Sequence, residues 1–212
     1  MAVVGSLANA TLIDVGQTLT IQNGGTLDAP NAQVVTGVDM TFGAGCTAMI
    51  GGSAAAPHTA SRNMSISGSV TFASGAELLL NGTSSQFLNG SFPLPPVRFT
   101  GTFLQSGTNP PLTIESFTQT GTGTTTFGNL TVLGDAVFTG PLGGNGGTLD
   151  VDGDITITGA TPTQFPPNIR IAGDWTSDSS FQPVVGFVEF DGAGSQSILA
   201  TAPQFHMLTV QA

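Results

Sequence analysis

Residues 148–159, TLDVDGDITITG, contain the unit that decides the fold. Apolar residues alternate with polar ones on both sides of Gly153, and Gly159 closes the stretch. Alternation places every second side chain on one face of a strand, and glycine supplies the backbone angles that a sharp corner requires. The stretch therefore predicts a strand, one tight turn and a second strand.

The same phrase recurs along the chain at a spacing of roughly twenty residues, which is typical of stacked coils. Single-glycine corners outnumber the Asn-Gly and Asp-Gly signals of β-hairpins, so we predict an all-β protein: one parallel β-solenoid domain over 1–212, with roughly ten coils. Short strands at regular spacing also fit a β-sandwich or jelly roll, which is the alternative. The other copies of the phrase are TLTIQNGGTL (18–27), SVTFASGAELLLNG (69–82), NLTVLGDAVFTG (129–140) and GFVEFDGAGSQSIL (186–199).

Two segments depart from the repeat. Residues 85–118 are rich in phenylalanine and proline, and the run from Pro93 to Pro96 lacks the backbone donors of a central strand. We expect this segment to be a loop folded over the flank of the solenoid; a docking surface for a neighbouring subunit is the alternative. A second proline-rich stretch, 161–168, predicts a seam before the last coils.

The composition excludes several classes of partner. Charged residues are 8% of the chain, the formal net charge is −10, and the basic side chains besides two histidines are three arginines. Nucleic-acid binding requires clustered Lys and Arg, so nucleic acid is excluded, and adsorption to an anionic membrane is disfavoured. No apolar run approaches about 18 residues, so we predict no membrane insertion.

The first residues, MAVVGSLANATL, lack the positive start and the apolar core of a signal peptide. We expect either that the numbering begins after processing or that the protein is made without that export route. Cys46 is the only cysteine, so it has no partner for an internal disulfide, and its surroundings of small residues predict a buried position.

Residues 173–210 resemble a unit of large repetitive bacterial cell-surface and secreted proteins. The unit combines a Gly-Asp-Trp opening at 173–175, a V-x-F-D-G strand at 188–192, G-x-Q-x-I from Gly194 to Ile198 and F-x-x-L-x-V from Phe205 to Val210. Residues 124–138 repeat part of it. The resemblance implies an adhesin-like or stalk-like β-solenoid located outside the cell or on its surface.

Candidate chemical sites are few. Asp150, Asp152 and Asp154 alternate along the chain, and their carboxylates fit either a solvated turn or a weak calcium site. His58 and His206 have no partner at the spacing of a metal site or catalytic triad.

Trp175 fits packing at a coil corner, and a sugar-binding platform is the alternative. The carboxylates of Glu77, Glu115 and Glu189 are isolated in the sequence, so we predict that the protein is not an enzyme and needs no cofactor.

Both ends of the sequence are apolar and strand-like, and neither carries a charge cluster or helix that would cap a solenoid. We therefore predict that copies stack end to end or exchange a terminal strand, as structural subunits of an extracellular filament, sheath or surface layer. The alternatives are an adhesin or carbohydrate-binding module that binds cell-surface glycans, and a phage tail-spike or decoration protein in a virion. The residues expected at the subunit contact are Val3, Val4, Leu7, Leu12, Phe92, Phe99, Phe103, Phe205, Leu208 and Val210.

Overall fold

The structure, a computed structural model, describes residues 4–7, 9–83, 85–90, 92–104, 111–121, 123, 125–144, 147–159, 168–181, 186–201 and 205–211. Within these ranges every regular element is a short β-strand, and none is a helix. The prediction of an all-β protein is confirmed.

The strands are three to six residues long and follow one another along the chain. The first fourteen are β1 (Val4–Ser6), β2 (Leu12–Val15), β3 (Leu19–Ile21), β4 (Thr26–Ala29), β5 (Gln33–Thr36), β6 (Met40–Phe42), β7 (Thr47–Ile50), β8 (His58–Ala60), β9 (Asn63–Ile66), β10 (Ser69–Phe72), β11 (Leu78–Leu80), β12 (Ser85–Gly90), β13 (Val97–Phe99) and β14 (Thr102–Leu104). The others are β15 (Leu112–Ile114), β16 (Phe117–Gln119), β17 (Thr125–Phe127), β18 (Leu130–Val132), β19 (Ala136–Phe138), β20 (Leu142–Gly144), β21 (Thr148–Val151), β22 (Ile155–Ile157), β23 (Asn168–Ile171), β24 (Trp175–Ser177), β25 (Phe187–Phe190), β26 (Ile198–Ala200) and β27 (Leu208–Val210).

Successive strands belong to three faces, and strands on one face pair in parallel with those of the coils before and after. The first face has the orders β1-β4-β7-β10 and β15-β18-β21-β23-β25-β27, the second runs from β2 to β26, and the third from β3 to β20. The second face contains ten strands, one per coil. At about 4.8 Å per rung, ten coils extend over about 45 Å. The predicted parallel β-solenoid of roughly ten coils is confirmed.

Alternation along each strand builds the core. On the first face Leu130, Leu149, Ile169 and Val188 lie opposite one another on β18, β21, β23 and β25, and all four are buried. Burying an aliphatic side chain of this size stabilises a fold by about 1.5–3 kcal/mol. Each coil therefore gains its stability from the apolar side chains of the adjacent coils.

Glycines at the corners let the coils approach closely. Gly134, Gly153 and Gly173 stand in one column, just after strands of the first face. A Cβ atom at Gly153 would lie 2.5 Å from the carbonyl carbon of Gly134, and one at Gly173 would lie 2.5 Å from that of Gly153. Any larger residue would push the coils apart, which explains why glycine recurs in the repeat.

The phenylalanine-rich segment belongs to the ladders rather than to the flanking loop that we expected. Within 85–118, five strands, β12 to β16, pair with adjacent coils. The proline run from Pro93 to Pro96 contains no strand, yet Leu94 within it forms a parallel bridge with Ile114. The Leu94 N–H donates to the Thr113 carbonyl and the Leu94 carbonyl accepts from Glu115, both over 2.9 Å. A single residue between the prolines thus continues the parallel pairing on this face. The predicted seam, 161–168, lies almost entirely outside the described residues.

Candidate assembly interface at the ends of the solenoid

The last rung of the first face exposes side chains that continue a core ladder. Leu208 and Val210 on β27 pair with Val188 and Phe190 on β25. Val188 and Phe190 are 4% and 2% exposed, whereas Leu208 and Val210 are 42% and 68% exposed. The same inward position therefore changes from core to surface because no described strand pairs with the outer edge of β27.

The last rung of the second face is similarly open. Ile198 on β26 pairs with Trp175, which is completely buried, yet Ile198 is 42% exposed. A cavity of about 150 Å³ lies between the end strands and is lined partly by Phe190, Ile198 and Val210. This end of the solenoid thus presents an apolar, concave surface.

An aromatic cluster supports that surface. The ring of Trp175 lies 4.9 Å from that of Phe181 and 5.4 Å from that of Phe205, both in edge-on contacts. The Trp175 indole N–H donates to the Ser177 hydroxyl over 2.9 Å. Packing is therefore the role of Trp175, and the sugar-platform interpretation is wrong because its ring is fully buried. The indole N–H is the only polar group of the Trp175 side chain, and it has a hydrogen-bond partner. The cluster therefore packs as part of the core beneath the end surface.

The opposite end also carries exposed apolar side chains. Leu7 and Leu12 are 42% and 52% exposed. Ile13 on β2 lies opposite the buried Val34 of β5 but is itself only half-buried. On the first face, Gly5 of β1 lies opposite Leu27 of β4. The two ends therefore differ in sequence but share an uncovered, apolar edge.

The remaining predicted contact residues lie elsewhere. Phe99 is fully buried, so the prediction that it contacts a neighbouring subunit is wrong: its side chain points into the core from β13. Phe92 and Phe205 are partly buried and pack against the core. Val3 lies outside the described residues, and for Val4 and Phe103 only the backbone position, in β1 and β14, is described.

The three aspartates of the possible calcium site lie on β21 and in the corner that follows it. Asp150 lies on the outer face of β21, opposite Arg170 of β23. Burial raises the pKa of Asp150, and the negative charges of Asp191 and Asp152 add to the effect. Asp154 lies at the next corner, where its Oδ1 accepts the backbone N–H of Asp174 over 2.8 Å. No three His, Cys, Asp or Glu side chains within the described ranges form a group that could hold a metal ion. Weak calcium binding stays the untested alternative to a solvated turn.

A column of aspartates joins adjacent coils, which the sequence analysis missed. Asp135 Oδ1 accepts the N–H of Asp154 over 2.9 Å, Asp154 accepts that of Asp174, and Asp174 accepts that of Ser197 over 2.7 Å. Each of these aspartates directly follows a corner glycine, at 134, 153 and 173. The recurrence of Gly-Asp at intervals of 19 and 20 residues was the available signal.

All three arginines also bind adjacent coils. Arg62 pairs with Asp39, Arg98 Nε lies 2.6 Å from Glu77 Oε1, and Arg170 Nε lies 2.9 Å from Glu189 Oε2. The partners are 23, 21 and 19 residues apart, which is one coil. The hydrogen bonds from Arg62 lower the pKa of Asp39. Exposed pairs of this kind contribute about 1 kcal/mol or less each. Each of the three arginines therefore links two adjacent coils through an ion pair.

His58 is a neutral core residue. Its side chain is fully buried, Nδ1 accepts the N–H of Val34 over 3.1 Å, and Nε2 lies 2.8 Å from the carbonyl oxygen of Gly51. Because Nδ1 is the acceptor, Nε2 carries the proton and donates it. Burial lowers the pKa of His58 to about 4. Both ring nitrogens are occupied by backbone groups, so the arrangement is structural.

No protein-family model matches the chain, and comparisons with curated proteins and with solved structures give no match either. The resemblance to bacterial surface repeats therefore stays an expectation. Among the described residues no helix is long and apolar enough to cross a membrane.

Proposed function

We propose that the protein is a structural subunit of a self-assembling filament, sheath or surface layer outside the cell, joined end to end by β-strand pairing. The observation that carries the proposal is the uncovered rung of β27. There Leu208 and Val210 continue a ladder whose preceding members are buried. Covering such side chains is favourable by about 1.5–3 kcal/mol each.

The backbone of the end strands supports the same proposal. Among the described strands, β26 and β27 each pair with one neighbour, so their other edge offers a row of N–H and C=O groups to a further strand. Their sequences, ILA and LTV, contain none of the charged residues or prolines that protect sheet edges against such pairing.

A second copy of the chain is the occupant to which we commit. On the first and second faces the two ends of one solenoid have strands of the same direction, so a copy continues the parallel ladders of these two faces. A contact between two different ends is heterologous and leaves a free end after each addition. The product is then an open filament rather than a closed ring.

The test compares two leucines of similar exposure. Leu208 is 42% exposed on the end rung, and Leu133 is 46% exposed on the side of the solenoid. The Leu208→Asp variant is expected to remain monomeric, because a carboxylate would be buried at the joint, while Leu133→Asp forms filaments like the unchanged chain. Sedimentation velocity over a concentration series and electron microscopy measure both. A monomeric unchanged chain at high concentration, or filaments of Leu208→Asp, would refute the proposal.

The carbohydrate-binding alternative is the weaker one because its candidate platform, Trp175, is buried beneath Phe181 and Phe205. No described feature favours the virion alternative over the filament.

A further inference from the structure

We propose that subunits join by exchange of a strand: β27 of one copy takes the place of β1 in the next copy and pairs with its β4. This inference rests on the proposed function and specifies the joint. It follows from the order in which the chain visits the three faces.

The path of the chain creates a conflict between β1 and β27. After β26 on the second face, the chain passes on to β27 on the first face, about two-thirds of a rung further along the axis. In a second copy whose β2 continues the second-face ladder on β26, β1 precedes β2 by about one-third of a rung. Its β1 and the first copy's β27 would then occupy the same position.

Simple stacking solves the conflict poorly. If β1 of the second copy pairs with β27, that copy must move away by one rung, about 4.8 Å. β26 then keeps an unpaired edge, and Ile198 stays next to a gap one strand wide. On the first and second faces exchange leaves no gap between described strands, because β2 covers β26 while β4 covers β27.

The side chains favour exchange as well. β1 places Gly5 opposite Leu27, so its inward position has no side chain there. β27 has Leu208 and Val210 at its inward positions, as their buried partners on β25 show. Paired with β4 in the equivalent register, Leu208 lies opposite Leu27 and Val210 opposite Ala29, both of which are inward core residues. In the exchanged pairing, Leu208 thus occupies the inward position opposite Leu27, where β1 has Gly5.

Paired cysteines distinguish the two joints. Thr209 lies between Leu208 and Val210 and is exposed. Exchange places Thr209 opposite Asp28, whereas stacking on β1 places it opposite Ser6, the residue that pairs with Asp28 within one copy. Strands one rung apart have the Cα separation that a disulfide requires. Positions 209 and 28 lie at opposite ends of one molecule, so a bond between them must join two copies.

The experiment uses the full chain with Thr209→Cys/Asp28→Cys and, as the matched control, Thr209→Cys/Ser6→Cys. Cys46 is buried and stays unchanged. Each variant is oxidised at filament-forming concentration and run on a non-reducing gel. Exchange predicts a ladder of covalent oligomers for the first variant and monomers for the second. The reverse pattern, or filaments without a ladder in either, overturns exchange but leaves end-to-end assembly standing. Dispersed monomers in both variants and in the unchanged chain refute the proposed function itself.

A second variant tests exchange without cysteines. The Leu7 N–H donates to the Asp28 carbonyl over 2.6 Å, and by strand alternation the Gly5 N–H points the same way. Gly5→Pro removes the N–H donor of residue 5 and thereby weakens the pairing of β1 with β4. Exchange predicts that filaments form at the same or a lower protein concentration, since β1 must leave. Loss of filaments with an unchanged circular dichroism spectrum would show that β1 belongs to the joint.

Discussion

The imidazole of His58 and the backbone N–H of Val34, 24 residues apart, are joined by a hydrogen bond of 3.1 Å inside the core. The bond requires an unprotonated Nδ1, and burial, which lowers the pKa of His58 to about 4, keeps the ring neutral. It ties the second coil to the third and makes the stability of the protein depend on pH.

We expect the free energy of unfolding to fall as the pH falls from about 6.5 to about 4. The pKa of His58 is lowered to about 4 in the folded chain from 6.5, so the unfolded chain binds the extra proton first and is favoured by acid. The difference corresponds to roughly 3 kcal/mol. Urea unfolding at several pH values measures it. His58→Gln should remove this slope and His206→Gln should keep it; an equal slope in all three chains would contradict the assignment.

Two substitutions of Asp154 should distinguish the contribution of its hydrogen bond to stability from the contribution of its negative charge. Asp154→Ala leaves the Asp174 N–H without its partner and is expected to lower the free energy of unfolding by about 1 kcal/mol. Asp154→Asn keeps an acceptor oxygen and removes a negative charge between Asp135 and Asp174, so it should be as stable as the unchanged chain or more so. Chemical denaturation compares the three. Equal losses for alanine and asparagine would mean that the charge, not the hydrogen bond, holds the corner.

The corner glycines should tolerate no side chain. Gly153→Ala places a Cβ atom 2.5 Å from the Gly134 carbonyl carbon, so the coils must separate, and we expect a loss of about 2 kcal/mol or more. At Gly194 a Cβ atom meets nothing within 4 Å, and Gly194→Ala is the matched control with little expected effect. Thermal unfolding measures both. If the two variants melt at the same temperature, close approach does not explain the glycine column.

Trp175 is the only tryptophan, so fluorescence reports directly on the coil below the open end. Because its ring is buried against Phe181 and Phe205, we expect blue-shifted emission that acrylamide quenches weakly in the folded chain. Trp175→Ala should lower the free energy of unfolding by about 3–5 kcal/mol. Strong quenching in the native state would place the ring at the surface and reopen the sugar-platform interpretation.

The repeat phrase predicted the fold class and coil number because alternation and corner glycines are local signals. The proline run misled the prediction for 85–118, since Leu94 still pairs on the first face and the flanking strands β12 and β13 continue the other two ladders. Phe99 and Leu208 illustrate a second limit. Both are inward-facing apolar residues in short strands, and only the stacking order decides that one is buried and the other uncovered.

The structural role of His58 could not be predicted from the sequence for a related reason. Its partners, Val34 and Gly51, come from a different coil and from a connecting segment before β8. The sequence identifies neither as a neighbour of the ring. By contrast, the repeated Gly-Asp pairs could have been recognised in the sequence once the coil length was known.

Because each coil pairs only with the one before and the one after, such a molecule frays from its extremities inward. A fibre has two extremities however many subunits it contains, so the share of fraying sites per subunit falls as the fibre lengthens. Durability against proteolysis would then be a property of the polymer, growing with its length, rather than of the single chain.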